Sequence, residues 1–195
     1  MPRLPVPFDS DAFSEGTRDA VRHILATRGG SVPAPSGLMT YAEKAGALLS
    51  DLVEHLRYHT SLTNAETELA ICISARASNS DYIWNAHTRL GLQAGTREEA
   101  LHAVDTHGPL DGLTTDESLV VRFGRELLEQ PAVSDDTFNA VRARFGERGL
   151  MELVAIMSVY TMNANILRIV NFQAAPEARH LTGSSHPAAP RGYEE

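Results

Sequence analysis

The chain has 195 residues, a little more than one average domain, with 17 basic against 25 acidic side chains and a net charge of −8. An acidic chain with no Lys/Arg cluster lacks the basic patch that phosphate contacts need, which argues against nucleic acid as a partner. The 43% apolar and 22% charged composition is globular, and the longest apolar runs, 69–73 and 153–157, fall far short of the roughly 20 residues of a membrane span.

Residues 1–9, with Pro2, Pro5 and Pro7, predict an arm lying over the surface. Nothing in that stretch is apolar for long enough to act as a secretory signal, so a cytoplasmic protein with no membrane partner is expected. From residue 10 to 173 the apolar spacing is helical almost throughout. Helices are predicted at 15–28, 41–58, 64–77, 80–93, 97–106, 115–129, 135–144 and 148–171. The pairs Thr40–Glu43, Thr63–Glu66, Thr96–Glu99 and Thr114–Glu117 have capping-box spacing, in which hydroxyl and carboxylate satisfy backbone N–H groups at a helix start. Gly29, Gly95, Gly108 and Gly146 follow the runs, where a helix end uses a positive φ.

Between the first two helices, 30–37 with Pro33 and Pro35 predicts an irregular loop. Within the second, Leu48, Leu49, Leu52, Val53 and Leu56 predict one apolar face. The third and last helices are apolar on more than one side and belong at the centre. Residues 174–195, rich in Pro, Gly and Ser, predict a disordered tail. The reading is an all-α, single-domain bundle of about eight helices.

The stretch from Glu68 to His87 carries the chemistry. Glu68 stands in Thr67 to Ile73, an otherwise apolar segment, where a carboxylate must be paired, at the surface or desolvated. In Ser80-Asp81-Tyr82-Ile83-Trp84-Asn85-Ala86-His87, helical spacing puts Ser80, Ile83 or Trp84, and His87 on one face. Adjacent antiparallel helices would bring Glu68 and His87 together beside Tyr82 and Trp84. That pair reads either as a general acid–base couple or as a buried histidine satisfied by a structural glutamate. Tyr82 and Trp84 taken singly also read as core residues.

Glu68, Ser80 twelve residues on, the segment to Trp84, and then His87 resemble the core of the carboxymuconolactone decarboxylase / alkyl hydroperoxidase D-like superfamily. The lead-in His59-Thr60-Ser61-Leu62-Thr63-Asn64-Ala65-Glu66-Thr67 is similar as well, and the resemblance runs from about 38 to 172. It implies an all-α fold, assembly as a homotrimer or homohexamer, and active sites near subunit contacts. Gly30 to Leu38 resembles a loop that covers the pocket in relatives. Peroxidase members carry Cys-x-x-Cys before the histidine. Here those positions are Ser80 and Ile83, neither of which forms a thiolate, so a disulfide-cycling peroxidase mechanism is excluded. The pattern resembles the decarboxylase-like branch, which implies catalysis without metal or organic cofactor.

The resulting expectation is an enzyme acting on a small carboxylated or lactone substrate, by decarboxylation or a related lyase, isomerase or hydrolase step. Glu68 and His87 would move protons, with Tyr82 or Ser80 donating a hydrogen bond to substrate oxygen. Trp84, Ile83 and His59 are the candidate pocket walls. Tyr160 and Asn163, polar groups on the apolar last helix, join them as lining residues or as a subunit contact. The alternative is a non-catalytic ligand-binding or assembly protein that has lost the thiol centre. His55 and His59 stand at i and i+4, a metal-ligand spacing, but no His-Glu-x-x-His pattern supports a metal. Cys72, inside the same apolar helix as Glu68, reads as a small core residue.

Overall fold

Every residue from Thr67 to Ala75 is buried, and a helix with no exposed face has to lie in the middle of its domain. In the computed structural model, which describes residues 2–184, this helix (α4, Asn64–Ala77) packs against four others. They are α5 (Asp81–Ala94), α6 (Glu98–Thr106), α7 (Thr115–Glu129) and α8 (Asp135–Ile169). A second group, α1 (Glu15–Thr27), α2 (Ala34–Met39), a 3-10 turn at Thr40–Ala42 and α3 (Lys44–Tyr58), closes over it, with α2 and α3 resting on α8. All eight helices among the described residues fit the all-α expectation, and no strand occurs among them.

Two of the four capping boxes form. Thr63 with Glu66 starts α4, and Thr114 with Glu117 starts α7. The other two threonines are drawn away by tertiary partners. Thr96 donates instead to the Ala65 carbonyl at 3.1 Å, leaving Arg97 as the cap. Thr40 donates to the Gly37 carbonyl at 2.6 Å, and the chain turns through Glu43 at φ 52° before α3 begins. At the end of α6 the left-handed residue is His107, not Gly108.

The irregular loop expected at 30–37 contains α2, whose residues Ala34 to Leu38 are buried. Proline is tolerated in a first helical turn, where no N–H partner is lost. Tertiary packing therefore decides the element: a Cβ on Gly37 would lie 2.5 Å from a Val6 methyl. The apolar face predicted for α3 splits. Leu49, Val53 and Leu56 are buried, whereas Leu48 and Leu52 are exposed. α8 is two helical segments joined at Gly146, whose φ 70° and ψ 178° lie in a region essentially confined to glycine. By length and composition α8 could cross a membrane, and half of its most apolar window is buried against the other helices.

The arm is tied to the end of α8 by the Arg3 N–H, which donates to the Val170 carbonyl. The disordered tail expected from residue 174 is corrected for 174–184, which run as a strap over α5; residues 185–195 lie outside the described residues. The buried carboxylate of Asp81 accepts the Leu181 N–H at 2.8 Å and the Ser184 hydroxyl at 3.0 Å, with His180 Nδ1 at 2.5 Å. Asp105 takes the Thr182 N–H and hydroxyl, and Leu181 fills a core position. Side-chain acceptors replace the missing secondary structure, a pattern that periodicity does not register.

Gly124 on α7 lets the central helices approach closely, because a Cβ there would stand 2.5 Å from a methyl of Ile73 and 3.0 Å from the Met157 methyl. Alanine at an unhindered helix position gains about 1 kcal/mol over glycine, but overpacking of a buried site costs roughly 1–3 kcal/mol. Gly124→Ala is therefore expected to be destabilising, by about 1 kcal/mol, in a urea melt. A stabilised variant would show that the α4–α7 contact is looser than described.

Candidate functional site

Four helices meet at one carboxylate to make the site. The Thr63–Glu66 box fixes the start of α4 and so puts Glu68 in its second turn, facing α3 and α5. From α5, His87 Nδ1 lies 2.6 Å from Glu68 Oε2. From α3, Arg57 Nη2 donates to Glu68 Oε1 at 2.9 Å. From α8, the Tyr160 ring stands edge-on to the imidazole, centroids 4.9 Å apart. Arg57 also stacks over the Tyr58 ring at 4.9 Å.

The electrostatics follow from burial and these contacts. Burial alone would raise the Glu68 carboxyl, but the His87 hydrogen bond and the Arg57 charge outweigh it and hold it below the usual carboxylate range. Burial pushes the His87 imidazole below its ordinary value, against the pull of Glu68. Burial also opposes the Arg57 charge, but its Tyr160 and Glu68 neighbours hold it higher still, and burial pushes the Tyr160 phenol well up. At neutral pH the site holds an ionised Glu68, a cationic Arg57 and a neutral His87. An ionised carboxylate only accepts, so the imidazole proton sits on Nδ1 and the lone pair on Nε2. This is the arrangement of a general base with its tautomer fixed.

Two clefts meet at Arg57 and Tyr58. One, of about 260 Å³, is lined also by Asn64, Glu68, Leu90 and Gln93. The other, of about 420 Å³, is lined also by Arg28, Gly29, Pro33 and Glu54. Arg28 Nη1 donates to Glu54 at 2.8 Å. The Arg57 Nε–H is buried without a partner among the described residues.

The sequence reading is corrected in several places. Glu68, His87 and Tyr160 come together as expected candidates. Ser80 and Tyr82 do not join them. Ser80 is the non-helical N-cap of α5, and both residues line a separate cleft of about 230 Å³ with Arg168, Asn171 and Phe172. Tyr82 meets Phe172 edge-on at 5.2 Å, and burial raises its phenol. Tyr82 is five residues from His87, about 140° around the helix, so the two cannot share a face. Ile83 and Trp84 are core residues lining none of the three clefts, although the Trp84 Nε1–H lacks a partner among the described residues. His59 is exposed at the C-cap of α3, with its ring 5.9 Å from the equally exposed His55. Among the described residues no three His, Cys, Asp or Glu side chains gather as a metal site. Asn163 is buried one turn beyond Tyr160 with Oδ1 unpaired among the described residues. Cys72 is fully buried, and burial pushes its thiol well up.

Arg57 is the residue of this candidate site that the sequence reading missed. It stands four residues after Val53 and eight after Leu49, on the buried face of α3, and an arginine at that spacing was the available signal.

No family model matches the chain, and neither does any curated relative. Among solved structures the chain is similar to the debrominase Bmp8, crystallised as a cysteine-to-alanine variant in complex with 2,3,4-tribromopyrrole. The TM-score is 0.63 at 13% identity, covering 86% of this chain and 89% of that one. The likeness shows a shared helical, alkyl hydroperoxidase D-like fold. That structural neighbour is an enzyme.

The folded state holds both Glu68 and His87 below their ordinary pKa values, so the unfolded chain binds more protons as pH falls, and stability falls with it. The loss is expected to begin near pH 6.5, the ordinary histidine value, at up to about 1.4 kcal/mol per pH unit for each proton. His180, raised by its hydrogen bond to Asp81, works in the opposite sense, losing stability as pH rises through its folded value. Urea melts between pH 5 and 8 should show a shallower acid slope in His87→Gln than in the wild type. Equal slopes would mean that His87 is not held neutral.

Proposed function

We propose that this chain is a cofactor-independent acid–base enzyme acting on a small carboxylated or lactone substrate, with a lyase or isomerase step at its centre. The observation that carries this reading is the buried Glu68 carboxylate shared between His87 Nδ1 and Arg57 Nη2 at the wall of an open cleft. The fold shared with an enzyme supports catalysis on this scaffold. The resemblance of the Glu68-to-His87 segment to the decarboxylase-like branch supports the reaction class.

In this reading His87 Nε2 removes a proton adjacent to a substrate carbonyl or carboxyl group. The proton moves to Nε2 and the electron pair delocalises as an enolate. Glu68 stabilises the imidazolium that forms, and the same nitrogen then returns the proton to carbon. Because His87 rests neutral, a decarboxylation on this site needs the imidazole to take up a proton before the carbanion is quenched. Tyr160 covers the imidazole and keeps water from it, which strengthens both charge contacts.

The test is turnover of small unsaturated lactones and β-keto carboxylates by metal-stripped protein, followed by ultraviolet absorbance and carbon dioxide release. His87→Ala should lose at least 100-fold in rate while its circular dichroism stays unchanged. If no substrate turns over and the variant merely loses about 1–3 kcal/mol of stability, the pair is structural and the chain is a binding or assembly protein.

The proposal extends to a homotrimer or homohexamer. Exposed Leu48 and Leu52 on α3, with Met151, Met162 and Ile169 on α8, support a subunit face. Sedimentation should give a multiple of the 21.2 kDa chain mass, and dilution should lower the melting temperature. A monomeric mass with a concentration-independent melt would sink this part of the proposal.

A further inference from the structure

Arg57 does more than hold Glu68. Its guanidinium spends one N–H on that carboxylate, and its Nε–H is buried with no acceptor among the described residues. A buried charged donor left unpaired is costly, and such groups mark places where a partner is missing. The side chain is 13% exposed, and that exposure reaches the larger cleft on the α1–α2 side. Arg28 lines the same cleft, held at the C-terminal end of α1 by its pairing with Glu54. The wall of this cleft carries two guanidinium groups and the Glu54 carboxylate, while Glu68 holds Arg57 from the neighbouring cleft.

The wall is also shaped for a small ligand. Gly29, at φ 61°, turns the chain immediately after α1, and a Cβ built there meets nothing within 4 Å. Pro33 closes the opposite side as the N-cap of α2. The Tyr58 ring lies 4.9 Å from the Arg57 guanidinium and lines the same cleft.

We propose that the cleft between α1, α2 and α3 is a carboxylate-binding subsite, in which Arg57 and Arg28 take the carboxylate of the substrate beside the Glu68–His87 pair. Planar guanidinium groups match a carboxylate in two-point geometry, as a lysine ammonium does not. The assignment deepens the acid–base reading and rests on it for the identity of the ligand as substrate. Anion binding itself stands on Arg28 and Arg57 alone.

The experiment uses maleate, a small unsaturated dicarboxylate, and its dimethyl ester as the uncharged counterpart, titrated calorimetrically into the full chain. Maleate is expected to saturate in the millimolar range, and the ester to give no heat of binding. Arg28→Gln and Arg57→Gln should each weaken maleate at least tenfold, with Arg57→Lys only partly restored. Arg28 does not touch the dyad, so its variant reports on the subsite even if Arg57→Gln fails to fold. His87→Gln should bind maleate within twofold of the wild type, which separates the subsite from the catalytic reading. Maleate that fails to saturate, or that binds Arg28→Gln as tightly as the wild type, overturns the subsite whatever the turnover assays give.

Discussion

A carboxylate taken out of water must find opposite charge or hydrogen-bond donors, or it is neutralised. Glu68 meets that condition with one donor from α5 and one from α3. The constraint reaches beyond the site. α3 belongs to the N-terminal group of helices and makes only slight direct contact with α4, so the Arg57–Glu68 bond is one of the ties between the two groups. Tyr160 adds a fourth element by laying its ring edge-on to the imidazole. The same carboxylate thus organises the candidate chemistry and part of the packing, and its removal would leave both an imidazole N–H and a buried guanidinium unsatisfied.

α5 carries two polar centres of different kinds. At its N-terminal end Asp81 gathers the 174–184 strap through backbone and side-chain donors. Six residues on, His87 turns to α4 and α8. Trp84 lies between them, fully buried, with the Arg179 guanidinium 5.8 Å from its ring. This separation explains why Ser80 and Tyr82 line a cleft of their own. A helix turns 100° per residue, so a segment of eight residues cannot aim all its polar groups at one point. The motif is contiguous in sequence and divided in space.

The helices were legible because an apolar stripe at 3.6-residue spacing is a local signal, and because glycines such as Gly146 mark breaks that only glycine adopts. The Glu68–His87 contact was legible for a related reason: a charged residue leading into the apolar run Leu69–Ile73 demands a partner, and the next helix offers one. What escaped depends on pairings between distant segments. α2 is six residues long and owes its burial to α3 and α8, with Val6 and Val32 against Gly37, contacts that no window over 34–39 contains. The strap is held by Asp81 and Asp105, roughly 80 to 100 residues away. Thr40 and Thr96 have the spacing of caps but find better acceptors in Gly37 and Ala65. Arg57 was missed because the sequence pointed to His59, two residues on, as the pocket wall from this helix, whereas His59 is exposed at its C-cap.

Arg57 also acts on His87, in the same direction as burial. A histidine beside a lone buried carboxylate is drawn towards the imidazolium form, since the negative charge favours the positive one. Here the carboxylate is shared, and the guanidinium charge acts on the imidazole with the opposite sign, adding to the effect of burial. The balance leaves Glu68 ionised and His87 neutral, with its proton on Nδ1. In the proposed acid–base reading, a neutral imidazole with its proton on Nδ1 accepts a proton at Nε2 first and returns it afterwards.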